Sequence, residues 1–323
     1  MQPRGLFVIS LDFELAWGVR GDMPPSYRAN LLGVRQAVPA MLDLFARRAI
    51  HATWATVGML FFDSRDALVR AFPAALERDP RGAGAPHAHL SAIGPDERAD
   101  PLHLARSLVL SIRDTPHQEI ATHTFSHYEC LSPGEHMGVL SADLDAALAV
   151  ARDTGVRIES IVFPKNQYAD THLALCAQKG LRVFRGSAPG RLYRPRPRGQ
   201  DPVWHRLGRL ADAYLPLLRP GQPVRPVRHA SGLVNVPASR FLRPYAPDLA
   251  RLEPLALRRV TGALTRAAER GELFHLWWHP HNFGVHLDEN LARLEAVLDC
   301  YARLRDRHGM RSATMAEAAA ELA

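Results

Sequence analysis

The sequence predicts an α/β fold of parallel strands joined by crossover helices, and three observations predict it. Its 323 residues are 47% hydrophobic, enough to bury a sizeable core. Short apolar runs alternate with longer amphipathic stretches, the order expected of βα units. The run "LFVISLDFEL" (6–15) carries no charge before Asp12 and reads as a buried strand.

Strands are expected at 5–12, 50–57 ("IHATWATV"), 119–123 ("EIATH"), 158–163 ("IESIVF"), 181–185 ("LRVFR"), 232–237 and 272–279 ("ELFHLWWH"). Helices are expected over 34–48, 64–78, 101–113, 138–153, 170–179, 249–270 and 288–308. Seven strands in such an alternation suggest a barrel, and residues 1–323 read as one domain. Two connections exceed ordinary loop length: 58–118, with "PRGAGAPHAHLSAIGPDERADP", and 186–248, with "RPRPRGQDP" and "RPGQPVRPVRH".

Composition narrows the function. The formal charge of +7 and the pI near 9.8 come almost wholly from arginine, since Lys165 and Lys179 are the only lysines. Basic residues are spread along the chain, densest in "RLYRPRPR" (191–198), without a basic stripe interleaved with aromatics, which argues against a nucleic-acid partner. An acidic glycan or a phosphate-bearing lipid headgroup fits the charge equally well. Cys130, Cys176 and Cys300 are few, odd in number and widely spaced, so no disulfide framework is implied. No uncharged apolar run reaches about 18 residues, so no membrane span is expected. Without a signal-peptide pattern the expected compartment is the reduced cytoplasm.

The acids in the first strand demand a compensator. Alternate strand residues share a face, so Leu6, Val8, Ser10, Asp12 and Glu14 align, with both acids at the C-terminal end where parallel α/β folds keep their sites. Two like charges so close need a cation, or one pKa rises. Among 16 histidines, His123 and His127 in "EIATHTFSHYEC" stand four apart where a strand enters a polar turn, a spacing that lets both rings reach one ion. Glu14 with this pair makes a His₂-carboxylate set with an open position for water. A second pair of that spacing, His275 and His279, falls in an apolar strand-like run.

These pieces resemble the NodB-homology polysaccharide deacetylases, metal-dependent enzymes on a distorted (β/α) barrel, in the family's order and over most of the chain. "SLDFE" is similar to the first motif, which implies Asp12 as catalytic base and Glu14 as metal ligand; "HTFSH" is similar to the His-[Ser/Thr]-x-x-His metal motif, which implies His123 and His127. "HATWATVGML" resembles the strand that follows the first motif, "VFPKNQY" stands in place of the Arg-x-Pro-Tyr motif, and "LFHLWWHPHNFG" in place of the closing Leu-x-His motif. The arginine that steadies the base is absent from "VFPKNQY", leaving Lys165, Asn166 or Arg185 to substitute. The family's fourth motif has no counterpart.

The resemblance implies a divalent metal, zinc first among the candidates, that lowers the pKa of a bound water and stabilises the oxyanion. A general acid must then protonate the leaving group. In a strand ending before Pro280, Leu273, His275, Trp277 and His279 share a face with His279 at the mouth, so His279 is the expected acid and His281, on the loop beyond, the reserve. His275, deeper, reads as a hydrogen-bonded core residue. Pro164, Lys165, Asn166, Arg185, Trp277 and His281 are candidate substrate contacts. The expected activity removes an acetyl group from an acetylated amino sugar in an oligo- or polysaccharide, or in a lipid- or nucleotide-linked precursor; self-association is left open. A non-sugar amide substrate, or a non-catalytic carbohydrate-binding protein on the same barrel, are the alternatives.

Overall fold

The structure, a computed structural model, describes residues 4–19, 25–79, 86–188, 202–214 and 225–322. The basic cluster at 191–198, the Gly-rich 81–85 and the start of "RPGQPVRPVRH" lie outside the described residues. In chain order the elements are β1 (Leu6–Phe13), α1 (Arg28–Arg48), β2 (Ala52–Thr56), α2 (Arg65–Ala71), α3 (Ala74–Glu77), α4 (Arg106–Asp114), β3 (Gln118–Thr122), α5 (Met137–Asp153), β4 (Ser160–Ile161), α6 (Asp170–Gln178), β5 (Val183–Phe184), α7 (Val203–Tyr214), β6 (Val227–Arg228), β7 (Val234–Asn235), β8 (Arg240–Phe241), α8 (Glu253–Arg270), β9 (Leu273–Trp278), α9 (Leu287–His308), β10 (Arg311–Ala313) and α10 (Met315–Ala320).

The strands make one curled sheet in the order β6-β7-β5-β4-β3-β2-β1-β9-β8, with β10 paired to β1, and every pairing is parallel except β6 with β7. This is the distorted (β/α) barrel. All seven expected strands are present, most of them shorter than expected. The additional strands β6, β8 and β10 are two or three residues long, too short for alternation to reveal them. The single helix expected over 64–78 is divided into α2 and α3, because Phe72 is extended before Pro73. The connection 186–248 contains an unexpected helix, α7, and no described helix is long and apolar enough to cross a membrane.

Strand alternation sorts the core into two sides. Phe7, Ile9, Leu11 and Phe13 of β1 pack with Phe274, Leu276 and Trp278 of β9 into the large apolar layer beneath the helices. The opposite residues line the barrel interior. Its lower part is apolar: Leu6, Val8, Ala55, Ala121, Val162, Val183, Val234 and Leu273 meet Met315, Ala318 and Ala319 of α10, which closes the bottom. Going up the same strands, the interior face continues as Ser10 and Asp12 on β1, Arg185 past β5, and His275 and Trp277 on β9. Burying each large apolar side chain contributes about 1.5–3 kcal/mol, so the lower layer and the helix-covered layer hold a frame on which a polar upper layer can be tolerated.

Candidate functional site

Glu14 lies one residue beyond β1, and its carboxylate faces two imidazoles: Oε2 is 3.2 Å from His123 Nε2 and 3.1 Å from His127 Nε2. A side chain at Gly18 would overlap this carboxyl, so the glycine is what leaves room for it. All three residues are buried, and their ligand atoms lie within 4.8 Å of one another. The tautomer of His123 carries the argument for a cation. Its Nδ1 is 2.7 Å from the carbonyl oxygen of Val162, an acceptor only, so Nδ1 holds the hydrogen and the Nε2 lone pair of the neutral ring points at the carboxylate. Two acceptors at 3.2 Å attract only through a cation, either a second proton on the ring or a metal. Ligand atoms around one tetrahedral zinc stand about 3.3 Å apart, so the donor set and its spacing fit a divalent ion.

The turn bearing the histidines has a strained backbone, with Thr124 at φ 61° and His127 at φ 56°. Asp143, fully buried on α5, holds it: its carboxylate accepts from the backbone N–H of Phe125 (2.5 Å) and Ser126 (3.0 Å) and from the Ser126 hydroxyl. Thr124 Oγ1 accepts from the Tyr128 N–H at 2.7 Å, closing the turn. Sequence reasoning missed Asp143. Its signal was an acid within the apolar face of the expected helix 138–153, between Leu140 and Leu144.

Asp12 is held by Arg185. The fully buried guanidinium donates to both carboxylate oxygens, at 2.7 and 2.8 Å, and also to Ser10 Oγ and Asn166 Oδ1, each at 3.0 Å. Burial pushes the Asp12 carboxyl up, but the Arg185 charge, with His123 and His279, outweighs it and keeps the carboxyl below its ordinary value. Of the three expected substitutes for the missing arginine, Arg185 fills the place with Asn166 as a second partner, while Lys165 instead pairs with Glu129 at 2.6 Å. Pro164 is buried at the start of a short 3-10 turn, 164–166. Trp277, half-buried, lies 4.3 Å from the guanidinium through one ring face. His275 bonds Ser10 Oγ at 2.8 Å and the Val236 carbonyl at 3.2 Å, and burial lowers its pKa to about 3, as suits a neutral core residue.

His279 stands at the mouth between the two acids: Nε2 is 3.6 Å from Glu14 Oε1 and 3.9 Å from Asp12 Oδ2, and the ring is partly exposed. Burial pushes the Glu14 carboxyl up, yet His279, His123 and His127 together draw it well below the ordinary value. His281 lies beyond the strand, in a 3-10 turn (280–283) that Pro280 starts, and this turn carries the buried ring back to stack on His279, with centroids 4.8 Å apart. Burial and the neighbouring His279 lower the His281 pKa to about 3. The same carboxylate thus sits within reach of two histidine pairs, His123 with His127 and His279 with His281.

No family model matches the sequence, and no curated protein matches it. Among solved structures, the fold is similar to that of a Mycobacterium smegmatis protein described as "putative polysaccharide deacetylase": 15% identity over 98% of this chain and 90% of that one, TM-score 0.60. It is also similar to the α-amylase AmyC of Thermotoga maritima, at 13% identity over 97% of this chain and 74% of that one, TM-score 0.57. A third match is the 4-α-glucanotransferase of Thermococcus litoralis, at 9% identity over 99% of this chain but only 40% of that one, TM-score 0.56. At these identities the likeness establishes a shared barrel.

Proposed function

We propose that this protein is a metal-dependent hydrolase that removes an acetyl group from an acetylated amino sugar, in a glycan or a lipid- or nucleotide-linked precursor, in the cytoplasm. The observation that carries the reading is the convergence of Glu14 Oε2 with His123 and His127 Nε2, beside an arginine-held carboxylate and a partly exposed imidazole. Glu14, His123 and His127 would hold the ion, with zinc the first candidate from the N₂O donor set. Bound there, it would supply Lewis acidity toward the acyl oxygen and the attacking water.

The chain's own residues do the proton work. Asp12 accepts the proton of the attacking water, and Arg185 keeps it ionised and fixes its direction. His279, 3.6 Å from Glu14 on the solvent side, donates a proton to the leaving amine. The pocket floor of Ser10, His275 and Asn166 orients Arg185 rather than touching substrate. A glycosidase reading, which the two α-glucan enzymes of like fold bring to mind, suits this site less. It needs one carboxyl to act as nucleophile and another to stay protonated as the acid, whereas Arg185 keeps Asp12 ionised and Glu14 is directed at imidazoles.

The test uses metal-loaded protein and a panel of acetylated oligosaccharides and lipid-linked precursors, read out as the mass loss of one acetyl. His127→Ala should empty the site while His275→Ala stays loaded. His279→Ala should slow a sugar amide by about 10² or more and an activated aryl acetate much less, because a phenolate leaves unaided. Sugar binding without metal or acetate release would favour a carbohydrate-binding protein instead; release only from non-sugar amides would move the substrate class.

A further inference from the structure

The two oxygens of the Glu14 carboxylate face different histidine pairs. Oε2 is 3.2 and 3.1 Å from His123 and His127, whereas Oε1 is 3.6 Å from His279 Nε2. On that second side the ligand atoms of Glu14, His279 and His281 again lie within 4.8 Å of one another. The ring centroids of His279 and His281 stand 4.8 Å apart, against 5.2 Å for His123 and His127. Two imidazoles on one tetrahedral ion, with bonds of about 2.1 Å, place their centroids about 5 Å apart, so both pairs meet that spacing. His281 is firmly seated. It is only 3% exposed, the Tyr27 ring packs against it with centroids 5.5 Å apart, and its carbonyl accepts from Asn30 Nδ2 at 3.3 Å. The turn that carries it meets α1 so closely that a Cβ at Gly33 or Gly284 would overlap the opposite backbone. Yet among the described residues no hydrogen bond reaches its ring, which leaves a buried imidazole with an unused lone pair near a carboxylate.

We infer that Glu14 Oε1, His279 and His281 form a second, weaker divalent-cation site, whose ion takes over the nitrogen of the proposed acid. One carboxylate can bridge two ions through its separate oxygens, and the N₂O donor set suits zinc here as it does at Oε2. Asp12 Oδ2, 3.9 Å from His279 Nε2, is not a ligand, because Arg185 engages both Asp12 oxygens. Two causes make the second site the weaker. His123 and His127 are buried and His123 is aimed by the Val162 carbonyl, whereas His279 is partly exposed and has to be immobilised. Two dications that share one carboxylate also repel each other. His279 Nε2 faces both acids, so the atom that would bind the ion is the one that carries the leaving-group proton in the proposed reaction. An ion there replaces that proton, and excess metal switches the reaction off. This consequence rests on the proposed function, while the binding itself does not.

The experiment is equilibrium dialysis of the full chain against rising zinc, with metal per chain measured by elemental analysis and acetate release from an acetylated oligosaccharide followed on the same samples. Wild type should fill in two steps, the second at a zinc concentration at least about tenfold higher, and its rate should fall at least about tenfold across that second step. His281→Phe keeps a ring against Tyr27 but offers no lone pair, and His279→Ala alters a partly exposed position. Each should take up the first ion as wild type does and lack the second step. His275→Ala, which removes a buried histidine outside both sets, should keep both steps. A single step in wild type would overturn the inference and leave the proposed function standing. So would a second step that survives both substitutions, or one that leaves the rate of an active protein unchanged. Two steps, the second lost in both variants, from a protein that releases no acetate would bear out the site and overturn the proposed reaction instead. No bound zinc at any concentration would overturn both.

Discussion

Two glutamates, Glu14 and Glu119, stand at opposite ends of the same barrel, the first buried and the second half-buried, and their partners make them opposites. At the bottom, Glu119 accepts from the Thr53 hydroxyl at 2.7 Å, from the Ser160 hydroxyl, and from the Ala316 N–H at the start of α10 at 3.2 Å. Burial dominates there and raises its carboxyl above the ordinary value. At the mouth, Glu14 is surrounded by His123, His127 and His279 and is held well below it. Desolvation of a carboxyl alone therefore does not mark a functional acid. Neutral donors lock Glu119 into a joint that fastens α10 to the strands, whereas the inward lone pair of His123 leaves Glu14 in need of a cation.

Exchanging the two acids for amides is the strongest way to break this comparison. Glu14→Gln should lose metal from the purified protein and reduce any deacetylation by at least about 10², while Glu119→Gln keeps both near wild type. Elemental analysis of the pair decides it, and equal loading would dissolve the contrast. Next in size is Arg185→Met. It leaves Asp12 buried beside no guanidinium, a loss of about 3–5 kcal/mol of stability by denaturant titration. Because Arg185 lowers the Asp12 pKa, its removal should move the acid limb of kcat/KM to higher pH; Arg185→Lys should move it less.

Asp143→Asn sharpens the comparison at the turn that bears His123 and His127. With the carboxylate charge gone from the Phe125 and Ser126 amides, the strained turn relaxes, and metal affinity should fall about 10–100-fold by competition with a chelator while the circular dichroism spectrum is unchanged. The smallest effect belongs to Glu119. Its folded pKa lies above the unfolded one, so its contribution is complete below the unfolded value and is lost as pH rises through the folded value. A glutamine does not titrate, so Glu119→Gln should gain on wild type as pH rises, changing the difference in thermal midpoint by about 2 °C between acid and neutral solution. A constant difference would mean that Glu119 titrates alike in both states.

Much of the barrel was legible because its signals are local. Period-two alternation placed Leu6, Val8, Ser10 and Asp12 on one face, and the apolar runs located the seven principal strands. The candidate ligand set was legible as residue types, since Asp-x-Glu and His-x-x-x-His are short patterns, each on one strand end. Arg185 was one of three candidates, because nothing in "LRVFR" shows that its side chain spans the interior to β1. Asp143 was missed for the same reason, as its partners lie 17 and 18 residues away across a helix-to-turn contact. The stacking of His281 on His279 was not legible, because Pro280 ends a ladder in either case and only the packed 3-10 turn decides which way the ring points.

The sequence by itself determined the alternation of elements, the two faces of β1 and β9, and which residue types could reach an ion. These follow from backbone periodicity and side-chain chemistry, which a chain carries before it folds. Tertiary structure decided the partners: Arg185 rather than Lys165 on Asp12, Asp143 beneath the turn that bears His123 and His127, His281 stacked on His279, and a helix in the long connection with its apolar face turned outward. Partner choice depends on distances between segments far apart in the chain. Those distances are set by the curvature of the whole sheet, and no local pattern encodes them.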